Sequence, residues 1–170
     1  MRIVIAGLLG GVVFFIWCAV AHMMLPLGEM GVKQPTSEDA VIAGVRDNLP
    51  GEGVYMVPGL TSTQMQDEAA VAAYSQKAKT NPYAFIVYQP QGKDGMDMGM
   101  NLATQFVSGT LASLALAFVL ALGAFGFGKR VFISGLMGLF AWLAISVPYA
   151  NWYRFPMDFT VANLIEQVLG

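Results

Sequence analysis

The chain has 170 residues, 56% of them hydrophobic and 12% charged, with a net charge of −2. Soluble domains run at about 45–50% apolar and about 25% charged residues, so this balance argues against an ordinary soluble domain. No basic cluster exists beyond Lys129-Arg130, and a nucleic-acid partner, which would need a basic face, is not expected. The single cysteine, Cys18, excludes an intramolecular disulfide.

The first apolar block, Ile3 to Leu25, carries no charge and is long enough to cross about 30 Å of hydrocarbon. Met1-Arg2 and Ala19-Val20-Ala21 also fit a signal peptide. The apolar run, however, exceeds the usual ~7–15 residues of such a segment, and residues 1–27 read as transmembrane helix 1. Residues 28–100 follow as a small extracytoplasmic α/β domain, acidic on balance with nine Asp or Glu against five Lys or Arg. Within it, Pro35-Thr36-Ser37 offers a cap to a helix over Glu38–Leu49, ended by Pro50-Gly51. Gly53–Pro58 reads as a strand. Thr63-Gln64-Met65-Gln66 fits a capping box for a helix running to about Lys79, and Tyr83–Gln89 (YAFIVYQ) reads as a second strand. A crossover of that length predicts a parallel pair. Two strands and two helices make a marginal core, so the domain is expected to lean on the membrane, a partner or another copy.

Residues 101–128 and 131–150 read as transmembrane helices 2 and 3, joined by a tight turn at Gly128-Lys129-Arg130 that would make them antiparallel neighbours. Two basic residues in a short loop mark the cytoplasmic side, and Arg2 agrees. The aromatic cluster Tyr149, Trp152 and Tyr153 around Arg154 then belongs at the outer headgroup level. Residues 157–170 alternate polar and apolar positions with helical periodicity. They form either an amphipathic interfacial helix or a partial fourth transmembrane helix, and the pattern points to a native chain continuing past Gly170. The expected class is therefore a mainly α membrane protein of three transmembrane helices plus a C-terminal helix, with a small extracytoplasmic α/β domain between helices 1 and 2.

Small residues recur at helical spacing: Gly7 and Gly11 on helix 1, Gly109, Ser113, Ala117 and Ala121 on helix 2, Ser134 and Gly138 on helix 3. Such stripes let backbones approach closely. They serve either packing within the chain or docking onto another subunit.

Two further groups have chemical character. His22, Met23 and Met24 close helix 1 at the outer surface, and Met96, Met98 and Met100 lead into helix 2 at the same surface. Cys18 lies one turn below His22. Thioether, imidazole and thiolate ligands suit Cu(I), although methionines also fill gaps with no ligand role. Glu166 becomes an intramembrane carboxylate if the last helix enters the bilayer, and an exposed residue if that helix lies flat. No GxSxG, Walker A, GxGxxG or CxxC motif is present, and no catalytic residue is assigned.

HMMLPLGEMG, EGVYMVPGL, PYAFIVYQPQG and PYANWYRFPMDF together resemble small inner-membrane proteins of proteobacteria over essentially the whole chain. The resemblance implies a four-span layout and carries no activity. The layout is also similar to that of claudin-like proteins, whose paired outer-loop cysteines are missing here. The expected function is a non-catalytic accessory or scaffold subunit, its partner a membrane protein subunit or a second copy, in a bacterial inner membrane. The alternatives are Cu(I) handling at the outer face and a small-molecule or lipid-binding role.

Overall fold

The computed structural model describes every residue, Met1–Gly170. In chain order its elements are α1 (Arg2–Met23), α2 (Glu38–Asn48), β1 (Gly53–Val57), α3 (Glu68–Thr80), β2 (Ala84–Tyr88), α4 (Gly99–Ala121), α5 (Phe127–Ala141), α6 (Val147–Tyr153) and α7 (Met157–Leu169). A π-helical segment, Trp142–Ser146, joins α5 to α6 without a break. Three helices are long and apolar enough to cross a membrane: α1, α4 and the continuous Phe127–Tyr153 rod. The chain divides into a helical unit, Met1–Lys33 with Gly95–Gly170, and a second unit, Gln34–Asp94.

In the helical unit α1 packs along α4, because glycines on each remove the side chain that would hold them apart. A Cβ on Gly7 would stand 2.8 Å from Leu114 Cα, and one on Gly11 would stand 2.7 Å from Thr110 Cα. Gly109 in turn receives the Phe14 ring. Further along, Phe15 meets Phe106 edge-on at a centroid distance of 5.6 Å. The small-residue stripes of these two helices are therefore spent largely inside the chain.

The turn between α4 and α5 lies elsewhere than expected. It is Leu122–Gly126, while Gly128, Lys129 and Arg130 sit in the first turn of α5. Gly126 is extended and serves as the N-cap of α5, so the helix starts ahead of the basic pair. The apolar residues Leu122 and Phe125 disguise this turn as more span. Nor are α4 and α5 close neighbours: α4 gives its packing face to α1, and α5 gives its own to α7.

Pro148 explains the π segment. It lacks an N–H, and its ring would crowd the carbonyl four residues earlier; one widened turn ahead of it relieves that clash. The rod ends at Arg154, which adopts a left-handed conformation (φ 57°) and reverses the chain. Tyr149 stacks near Tyr153 and Phe155, at 5.4 and 5.5 Å, and Phe155 meets Phe159 at 5.3 Å. These rings pin the reversal, and α7 folds back along α5. At Gly138 the α7 backbone comes so close that a Cβ would stand 2.8 Å from the Gln167 carbonyl carbon. Trp142 Nε1 also donates to the Thr160 carbonyl at 2.8 Å.

In the second unit β1 and β2 pair antiparallel, with Val57 opposite Ala84 and Gly53 opposite Tyr88. This corrects the parallel pairing expected from the long crossover. The connection leaves and re-enters the sheet at the same end, so it must go out and come back. The Thr61–Gln64 reciprocal hydrogen bonds close a separate 3-10 turn, Gln64–Gln66, and do not cap α3. The cap is Asp67, whose carboxylate accepts from Ala69 N at 2.9 Å and Ala70 N at 3.4 Å. Ser37 stands at the N-cap of α2 but makes no side-chain cap bond. Pro58 is the only buried residue of this unit.

Candidate functional site

The helical unit gathers its polar side chains where α7 meets α1. His22 and Cys18 share a face of α1, since residues four apart on a helix stack one above the other. That face is turned to α7. His22 Nε2 lies 3.0 Å from Glu166 Oε1, with side-chain exposures of 53% and 21%. The contact is a hydrogen bond when the imidazole is neutral and an ion pair when it is protonated. Trp17 Nε1 donates to the Glu166 carbonyl at 3.1 Å, so two residues of α1 hold one residue of α7. Cys18, 7% exposed, accepts a weak hydrogen bond from Gln105 Nε2 of α4 at 3.8 Å.

A second polar contact ties α7 to the π segment. Gln167 Nε2 donates to Ser146 Oγ at 3.2 Å, and Ser146 is buried. Gln167 Oε1 is buried with no partner. The two contacts flank α7: Glu166 faces α1, and Gln167 faces the π segment.

These positions decide what the polar residues can do. Glu166 is a docking residue held by two residues of α1, not an exposed carboxylate on a helix lying flat. His22 is committed to Glu166, and the Cys18 thiol is closed to any bulky substrate. The methionines are placed differently. The α1–α4 register, with Gly11 beside Thr110 and Cys18 beside Gln105, carries Met23 and Met24 toward the end of the pair where α4 begins. Met96, Met98 and Met100 lie at that same end, and all five side chains are exposed. Sequence proximity of His22 to Met23 and Met24 thus does not extend to a shared direction, because His22 reaches across to α7.

Among the helix-packing candidates, Gly7, Gly11 and Gly109 sit in the α1–α4 contact, Gly138 receives α7, and Ser134 Oγ bonds back to the Arg130 carbonyl at 2.9 Å. Ala117 and Ala121 line a cavity near Arg2, and a Cβ on Gly10 would stand 3.3 Å from Ser113 Cβ. Tyr149 and Tyr153 form the ring cluster at the chain reversal, Trp152 points outward, and Arg154 supplies the reversal itself. Sequence reasoning passed over Gln105 and Trp17. The available signal was Gln105 itself, a lone long amide in the apolar stretch of α4. An amide there needs a partner wherever it is sheltered from water. No family model, curated protein or solved structure matches the chain.

Proposed function

We propose that the chain is a non-catalytic membrane accessory subunit that binds a protein partner through residues 34–94 and the outer face of its helices. In this reading α1, α4 and the Phe127–Tyr153 rod cross a bacterial inner membrane. Arg2, Lys129 and Arg130 stay on the cytoplasmic side, as basic residues near short loops do, and residues 34–94 stand outside.

The observation that carries the proposal is the unfinished state of the two-stranded sheet. In its antiparallel register Val54 faces Val87, and Met56 faces Phe85, on one side of the sheet. Val54 is 62%, Met56 48% and Val87 68% exposed. Both outer strand edges are unpaired, since the sheet has only these two strands. An isolated strand pair is at best marginally stable in water, and an open edge beside an apolar face is where a further strand or a partner surface adds. The helices offer an apolar surface of their own. Gly7, Gly11 and Gly109 are already used, but Phe132, Gly135, Leu136, Leu164 and Ile165 line an almost wholly apolar groove of about 500 Å³ between α5 and α7. Nothing in the chain lies within 4 Å of where a Gly135 Cβ would be, so the backbone of a neighbouring helix has room to approach there.

Gentle-detergent purification followed by native mass spectrometry tests the proposal. The wild-type chain is expected in a complex of defined higher mass, and Val54→Glu with Val87→Glu is expected to release it as a folded monomer. A wild-type chain that is strictly monomeric, with no protein bound, contradicts the proposal.

A further inference from the structure

A second groove, at the same end of the helical unit but on its α1–α4 side, has a different character. It measures about 660 Å³ and runs between α1 and α4, floored by Ala6, Gly10 and Val13 on one side and Ser113, Leu116 and Ala117 on the other. Its volume falls in the range of about 300–1,000 Å³ typical of small-ligand sites. Small side chains make it: glycine and alanine on α1 face serine and alanine on α4, so the two helices touch along one line and leave a trough beside it.

Arg2 and Arg130 both stand among the lining residues of this mainly apolar trough, together with Ser113 and Gly170. Arg2 has no hydrogen bond or ion pair with the protein. Arg130 donates from Nε to the Phe125 carbonyl at 2.9 Å, which steadies the guanidinium and leaves its terminal nitrogens for another acceptor. Lys129 stands next to Arg130 in the first turn of α5, which contains no acidic residue. An apolar slot with uncompensated cations beside it is complementary to a molecule that joins a hydrocarbon chain to an anionic group.

We propose that this groove binds an anionic phospholipid, with one acyl chain laid between α1 and α4 and the phosphate held by Arg2 and Arg130. The proposal rests on the membrane-inserted reading above, which puts both arginines at the level of the headgroups. It does not depend on the partner proposed there. Planar, bidentate donors suit phosphate oxygens, and basic pockets between spanning helices are a recognised way of selecting anionic lipids.

The test uses the whole chain in detergent, titrated with phosphatidylglycerol or phosphatidylcholine and read by native mass spectrometry. Phosphatidylglycerol is expected to bind at one site, at least tenfold more tightly than phosphatidylcholine. Arg2→Gln and Arg130→Gln are each expected to weaken it about fivefold, from the contribution of one basic residue near an anionic surface. Ala117→Phe, which fills the trough and keeps both arginines, is expected to abolish the single-site stoichiometry. Lys77→Gln with Lys79→Gln, which removes two charges from α3, is expected to change nothing. Inorganic phosphate at millimolar concentration is expected not to displace the lipid, because it cannot fill the groove. Equal binding of the two lipids, an unchanged affinity in the double arginine variant, or competition by inorganic phosphate alone would overturn the proposal. Release of the chain from membranes by alkaline carbonate would strike the insertion reading and not the groove.

Discussion

Gly138→Ala is the sharpest probe of how α7 is held. The added Cβ would stand 2.8 Å from the Gln167 carbonyl carbon and 2.9 Å from Val168 Cα. Both are backbone atoms, which cannot rotate aside. Carbon atoms in contact sit about 3.5–4.0 Å apart, so α7 has to retreat by roughly 0.6–1.2 Å. The Trp142 Nε1 bond to the Thr160 carbonyl, 2.8 Å in the wild type, then stretches beyond the usual limit of about 3.2 Å. Overpacking costs about 1–3 kcal/mol and a lost hydrogen bond about 1 kcal/mol, giving a destabilisation of roughly 2–4 kcal/mol. Gly135→Ala is the matched control on the same helix. Nothing lies within 4 Å of its Cβ position, and replacing a mid-helix glycine is expected to stabilise by about 0.5–1 kcal/mol. Unfolding by titrated SDS, followed by tryptophan fluorescence and far-UV circular dichroism, measures both. Equal effects from the two substitutions would refute the docking of α7 on α5.

The His22–Glu166 contact is expected to appear as a coupling of roughly 0.5–1.5 kcal/mol in a double-mutant cycle of His22→Ala and Glu166→Ala; additive effects would show that the pair contributes nothing. Asp67→Ala removes the acceptor of the Ala69 and Ala70 amides and is expected to cost about 1 kcal/mol, seen as faster amide exchange in the first turn of α3. Protection unchanged by that substitution would mean that the cap is not formed in solution.

The parts of the fold that depend on local chemistry were legible in the residues. The uncharged runs mark three long helices, since any charge in a run of that length would be conspicuous. Glu38 and Asp39 mark the start of α2, and YAFIVYQ marks β2. The parts that depend on where a chain returns to were not. A connection between two strands looks the same in sequence whether it makes one pass or two. The Thr63–Gln66 segment, read as a capping box for α3, instead closes its own turn with Thr61, and the same residue types serve both. The α4–α5 turn was hidden in the same way, because Leu122 and Phe125 are as apolar as the helix before them.

The candidate site shows the same division. The polar periodicity of α7 identified Thr160, Asn163, Glu166 and Gln167 as one group, but no local signal said which helix they would face. Cys18 and His22 fall on one helix, α1, as their spacing implies, but nothing near His22 in the sequence points to Glu166. The residue that His22 meets is 144 positions distant, and only the reversal at Arg154 brings it there.

The central claim is that this chain sits in a membrane with residues 34–94 on one side and the α4–α5 turn on the other. Single-cysteine labelling in a Cys18→Ser background tests it most directly, with an impermeant thiol reagent applied to intact cells whose outer membrane has been made permeable. A cysteine in place of Ser75 is expected to be labelled, and one in place of Lys129 is expected to be labelled only after the cells are lysed. Labelling at Lys129 and not at Ser75 in intact cells would reverse the orientation, and labelling of both or neither would contradict the three-span arrangement.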